Sequence, residues 1–125
     1  MTQVTAAIIR RCDRVLICQR PVNKCDPLLW EFPGGKLEKG ETLEQCLVRE
    51  CQEELGVVLS VGKKFGESTY TYPDIAVHLT FFEAIIIDGA PTCKEHNDIK
   101  WVTKDELTKY VFCPADKDIV KKLTR

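Results

Sequence analysis

The sequence has no surplus of either charge sign: 18 lysines and arginines stand against 19 aspartates and glutamates, a formal net charge of −1. Duplex nucleic acid needs a basic field to hold it, so the composition speaks against that partner. No apolar run approaches the length of a membrane span, and Arg10-Arg11 arrives before any stretch long enough for a signal peptide. There is no C-x-x-C pair and no metal-finger spacing among the seven cysteines, and their odd number excludes a complete disulfide framework. Cys12, Cys18, Cys46 and Cys51 lie in apolar periodic segments and read as small hydrophobes rather than catalytic thiols. Thiols left unpaired suit a reducing cytosol, so a cytoplasmic protein with no membrane partner is expected. Repeats, linkers and low-complexity segments are also missing, and 125 residues suit one core, so residues 1–125 read as one domain.

What is present is a mixture of strand and helix patterns. Val4 to Ile9 and Val15 to Cys18 are β-branched runs around a polar turn, which predicts a hairpin. Pro21 to Leu28 reads as a loop leading into Leu29-Trp30-Glu31-Phe32, and Pro33-Gly34-Gly35 is expected to break any strand. Thr42 to Leu55 is the clearest helix: Thr42 and Gln45 have capping-box spacing, Leu43, Leu47, Cys51 and Leu55 recur every fourth residue, and Gly56 is the stop. Val57 to Val61 and Phe65 to Tyr72 read as two strands. Ile75 to Ile87 reads as a central strand buried on both faces, and Ile99 to Val102 as a short strand. Thr103 with Glu106 can cap a helical turn, and Pro114 opens a last helix through Leu123. Such a mixture predicts a layered α/β domain.

The helix carries the chemical signal. Glu50, Glu53 and Glu54 stand at i, i+3 and i+4, so a helix aims three carboxylates to one side. Like charges at that spacing repel by about 0.2–0.5 kcal/mol per pair, so the cluster asks for a counter-cation. Carboxylate oxygens without imidazole or thiolate select a hard ion, Mg²⁺ first and Mn²⁺ second. Gly34-Gly35 precedes the helix, where a backbone lacking Cβ can approach a ligand, and Arg49 lies one turn before Glu53, in reach of that carboxylate or of Glu41.

Gly35, Glu41, Arg49, Glu50, Glu53, Glu54, Gly56 and Val57 together resemble the Nudix box, G-x5-E-x7-R-E-U-x-E-E-x-G-U, with Cys51 standing where an aliphatic residue is usual. The likeness extends along most of the chain and is to the MutT-type branch of the Nudix family, through Trp30 to Lys36, Tyr70 to Asp74 and Cys113 to Asp116. The resemblance implies the Nudix fold, an α/β/α sandwich around a mixed sheet. It further implies Mg²⁺-dependent hydrolysis of a nucleoside triphosphate to the monophosphate and pyrophosphate, by attack of water on the β-phosphorus. The metal set it implies is Gly35 through its carbonyl, Glu50, Glu53, Glu54 and Glu95. Glu50 is the first candidate for general base and Glu53 the second; Arg49 orients carboxylates, and Lys36 faces phosphate charge.

By the same resemblance Arg20 contacts the nucleotide, and the base lies between Phe32 or Leu29 and a wall near Leu79 and Phe81. Asp116 occupies the place where the oxidised-guanine specialist of the branch carries Asn. A carboxylate there accepts from an exocyclic amine such as cytosine N4, but must be protonated to face guanine O6. That departure speaks for cytosine, but the resemblance as a whole still implies 8-oxo-dGTP as the first substrate, with CTP or dCTP as the alternative and a non-catalytic nucleotide sensor as the remote one. A monomer or weak homodimer is expected. His78, His96 and Trp101 need no catalytic role on sequence grounds, although His96 can approach the metal site.

Overall fold

Alternation along the first two strands sets the layering. In the computed structural model, which describes all 125 residues, β1 (Thr2–Arg11) and β2 (Arg14–Gln19) form the expected hairpin about an exposed Cys12-Asp13 turn. Cys12 has φ 55° at that turn, so it is a turn residue and not the core hydrophobe that the sequence suggested. Ala6, Ile8, Val15 and Ile17 point into one apolar cluster, while Ala7, Ile9, Leu16 and Cys18 point into a second on the other face. Period-2 alternation with both sets apolar means the sheet is covered on both sides.

The covering of one face is α1 (Leu43–Leu55), whose Leu47, Cys51 and Leu55 join the second cluster. Its start is the predicted capping box: Thr42 Oγ1 accepts from the Gln45 amide at 3.1 Å, and the Gln45 side-chain oxygen accepts from the Thr42 amide at 3.0 Å. Gly56, at φ 71°, ends it in the left-handed conformation that only glycine adopts without strain. The other face is covered by a 3₁₀ turn at Glu106–Lys109, a second at Pro114–Asp116, and α2 (Lys117–Leu123). Leu107, Ala115 and Ile119 from these segments complete the first cluster.

The sheet is mixed. β3 (Trp30–Glu31) pairs antiparallel with β2, and β4 (Gly34–Lys36) pairs antiparallel with β1, placing Gly35 opposite Thr5. β6 (Ala76–Asp88) runs parallel to β1 from Thr2↔Val77 to Ile9↔Ala84, with β5 (Val58–Thr71) antiparallel at its outer side. β7 (Asp98–Thr103) pairs with β2. Helix, sheet and helix make the α/β/α sandwich.

Four expectations change. The strand does break before Pro33, β3 ending at Glu31, but Gly34-Gly35 opens a new strand, because a Cβ-free Gly34 lets β4 lie against β1 where a Cβ would overlap the Thr5 carbonyl oxygen. Val57 to Val61 and Phe65 to Tyr72 are one strand, since β6 continues as partner while irregularities at Val61/Lys64 and Lys64/Gly66 absorb Gly62 and Lys63. β6 is buried on both faces only from Leu79 to Phe82: Glu83 is partly exposed, and beyond Ala84 Ile85 and Ile87 are exposed. Thr103 does bind Glu106 through its amide, at 2.9 Å, but the turn that follows is 3₁₀ with Asp105 at its cap position.

Candidate active site

Three pieces of chain converge beside α1. The β3–β4 passage brings Glu31, Phe32, Gly35 and Lys36; the loop before β7 brings Glu95 and His96; the Pro114–Asp116 turn closes the far end. That turn is held in place because the Trp30 amide donates to Val111 O at 2.9 Å and the Cys113 amide to Trp30 O at 2.8 Å. Between these pieces lies a cavity of about 730 Å³.

Arg49 organises one end of it. Its Nε and Nη2 grip both oxygens of Glu41 at 2.7 and 3.0 Å, its Nη1 meets Glu50 Oε1 at 2.8 Å, and Nη2 also donates to Lys36 O at 3.1 Å. The fork is the two-oxygen geometry that guanidinium and carboxylate favour. Hydrogen bonds from Arg49 and from the Glu38 amide hold the Glu41 carboxyl down to about 2. Glu50 in turn lies so close to Gly35 that a Cβ there would overlap its carboxylate. A side chain at 35 would push the Glu50 carboxylate out of its present pose, and the Gly35 carbonyl is joined to the helix by the Cys46 thiol, which donates to Gly35 O and Lys36 O at 3.7 and 3.3 Å.

The three helix carboxylates are not equivalent. Glu50 and Glu54 line the cavity, whereas the Glu53 side chain is 55% exposed and rests 3.4 Å from Arg49 Nη1 outside the cavity wall. Glu54 is buried, and burial first, then Glu50, Glu31 and Glu95, pushes its carboxyl up to about 10. His96, with a side chain only 5% exposed, places Nε2 at 3.2 Å from Glu31 Oε2 and 3.5 Å from Glu54 Oε1. Glu31 Oε1 receives Arg20 Nη1 at 2.9 Å, and Arg20 Nε donates to Cys25 O at 2.7 Å.

At the closed end, Asp116 is buried on the cavity wall. Burial, then the charge of Glu31, pushes its carboxyl well above the usual range, against an amide hydrogen bond from Phe32 and the Arg20 guanidinium. Phe32 and Leu79 line the cavity as expected positions for a base, but Leu29 does not. Phe81 does not line it either: fully buried, it stands edge-on to Phe32 at 6.2 Å between ring centroids and supports that ring from behind. Two loops face each other across the mouth, where Tyr72 OH donates to Asp26 Oδ2 at 3.4 Å.

Sequence reasoning missed Glu31 and undervalued His96. A one-residue alternation could have flagged Glu31, since Trp30 beside it is core and a strand sends its neighbour to the other face. Nothing in the sequence signals that loop residue His96 meets two carboxylates distant along the chain.

The donors around the acidic end are Glu50, Glu54 and Glu95 with the Gly35 carbonyl, all on the cavity wall and all oxygen. They fit a hard divalent ion: a buried carboxyl held neutral by neighbouring carboxylates is what such a set becomes without its counter-charge. As arranged here they do not form a ready cage, because Glu50 is turned to Arg49 and Glu54 towards His96.

A family model of the NUDIX domain matches residues 4–122. The chain belongs to the Nudix family. Within it, this Nudix chain is 36% identical over 116 residues to the CTP pyrophosphohydrolase of Escherichia coli (strain K12), covering 93% of this chain and 86% of that protein. It is 35% identical over 124 residues to the 8-oxo-dGTP diphosphatase of the same strain, covering 98% and 96%. The solution structure of the DNA mismatch repair protein MutT from methicillin-resistant Staphylococcus aureus 252 superposes with a TM-score of 0.79 at 38% identity, over 98% of this chain and 95% of that one. The chain is thus a Nudix hydrolase of MutT type, and Nudix hydrolases generally use a divalent metal.

Proposed function

We propose that this enzyme hydrolyses 8-oxo-dGTP to the monophosphate and pyrophosphate. The observation that carries the reading is one cavity with two chemically distinct parts: carboxylates and Lys36 in one, and in the other a buried Asp116, whose carboxyl burial pushes above the usual range, with Phe32 and Leu79. A protonated carboxyl donates through its O–H and accepts through its carbonyl. Oxidation of guanine at C8 turns N7 from an acceptor into an N–H donor, so O6 and N7–H together match that pair of groups. Unoxidised guanine offers two acceptors on the same edge and mismatches the carbonyl.

At the open end Mg²⁺, with Mn²⁺ as substitute, would be held by Gly35 O, Glu50, Glu53, Glu54 and Glu95 and would neutralise phosphate charge. Glu50 takes the proton of the attacking water, with Glu53 as the second candidate. Arg49 fixes Glu50 through the 2.8 Å contact, and Lys36 adds a cation towards the phosphates. Arg20 orients the nucleotide, held by Glu31 and Cys25 O.

A second reading, CTP or dCTP, is favoured by the same residue. Cytosine presents an N4–H donor beside an N3 acceptor, and an ionised Asp116 still accepts from N4. The deciding experiment is kcat/KM across canonical and oxidised triphosphates with product analysis. Pyrophosphate release fastest from 8-oxo-dGTP supports the first reading, fastest release from cytosine nucleotides replaces it with the second, and a bound triphosphate never turned over leaves a sensor.

A further inference from the structure

His96 is a buried imidazole with an unusual distribution of partners. Nε2 faces two carboxylates at once, Glu31 at 3.2 Å and Glu54 at 3.5 Å, while Nδ1 has no hydrogen-bond partner. An orphaned buried nitrogen costs stability, so packing alone does not account for this ring. Its place is imposed by the backbone. The loop is stitched to α1 by Thr92 N to Leu55 O at 2.9 Å and Lys94 N to Glu54 O at 3.3 Å, and to β2 by Asn97 N to Gln19 O at 2.9 Å. The Asn97 side chain adds a 2.7 Å hydrogen bond to Gln19 Oε1, and the Cys93 thiol donates to His96 O at 2.9 Å. The imidazole is thereby wedged between the helix and β3.

Nε2 is hydrogen-bonded to Glu31 Oε2, and Glu54 Oε1 stands 3.5 Å from the same nitrogen. Glu54 stands among the acidic groups at the open end; Glu31 reaches, through Arg20, to the nucleotide end. We propose that His96 is a positioning residue that couples the two ends, so that divalent-ion binding and nucleotide binding strengthen each other. The proposal rests on the hydrolase reading above. When Glu54 turns to a cation it leaves Nε2 to Glu31 alone, which then holds Arg20 in its nucleotide-facing pose. When a nucleotide fixes Arg20 and Glu31 first, Nε2 is held to Glu31 and Glu54 is left free to turn. Linkage requires the two effects to be equal.

The test is a calorimetric cycle on the metal-free protein. Mn²⁺ and a nucleoside monophosphate product, 8-oxo-dGMP or CMP, are titrated singly and then each in the presence of the other at saturation. In the wild type each ligand tightens the other at least about fivefold, the lower end of ordinary coupling between sites. His96→Asn, whose amide reaches only the Nδ1 position, brings that factor close to one while both ligands still bind alone. His96→Gln, whose amide reaches the Nε2 position, restores most of it, which a purely structural role for the ring would not produce. Uncoupled binding in the wild type, or full coupling in His96→Asn, overturns the proposal. If neither monophosphate binds the wild type even with Mn²⁺, the substrate reading falls and this one with it; binding without coupling defeats this one alone. Should His96→Asn fail to fold, Glu31→Leu, which offers Nε2 no acceptor, cuts the same link from the other side and must abolish the coupling.

Discussion

Glu54 and Asp116 share one physical condition, a carboxyl withdrawn from water among other acids, and they use it differently. For Glu54 the folded-state value of about 10 lies above the ordinary 4.5, so the folded chain keeps a proton that the unfolded chain releases between those values. The stability this contributes is complete below the ordinary value and is lost as pH rises through the window. A divalent ion must displace that proton when pH is low and competes with less of it when pH is high. Thermal melts with and without Mg²⁺ should therefore show a larger gain in Tm at about pH 8.5 than at about pH 6, and Glu54→Gln should flatten the difference. For Asp116, on the proposed substrate reading, a retained proton would serve recognition. Raising the pH through its titration converts a donor–acceptor pair into acceptors only, so kcat/KM for 8-oxo-dGTP relative to dCTP should fall. Asp116→Asn fixes a donor and an acceptor at all pH values; it should keep the preference for oxidised guanine over cytosine at high pH, where the wild type loses it, and so remove the pH dependence of the ratio.

At the scale of the element, α1 was legible almost residue by residue, because caps, four-residue apolar spacing and a terminal glycine are all local signals. Thr42→Ala should cost about 1 kcal/mol in denaturant unfolding, the ordinary value of a lost N-cap. The spacing also placed Glu50, Glu53 and Glu54 on one flank. It could not tell that Glu50 and Glu54 enter the cavity while Glu53 stays at its rim, since i and i+4 lie over each other and i+3 is rotated away, and what packs beyond is not local. Glu50→Gln and Glu53→Gln separate the candidates for the base. The larger loss of kcat, about 10²- to 10⁴-fold, marks the residue that accepts the proton, and normal activity in Glu53→Gln removes it from the proposed metal set as well. β4 was misread because Pro33-Gly34-Gly35 has the composition of a turn, while its role is to lay a Cβ-free strand against β1. Glu31 and His96 escaped notice for a related reason: they meet 65 positions apart, and no window of sequence contains both.

For the whole molecule, the layered architecture followed from alternation in the strands plus one clear amphipathic helix, and the apolar residues of β1 and β2 sort into the two clusters accordingly. The helical cover on the second face was harder to read, because two of its three pieces are 3₁₀ turns too short to show a period. The pairing of β1 with β6 sets the order in which this architecture can be assembled. Most of β1 finds its parallel neighbour only at Val77 to Ala84, some seventy residues later, so a chain emerging from the ribosome holds the apolar middle of β1 without that partner until most of the protein has been made. Refolding monitored by stopped-flow fluorescence of Trp30 and Trp101 should accordingly fall in the millisecond-to-second class of non-local topologies, far slower than helical bundles of this length.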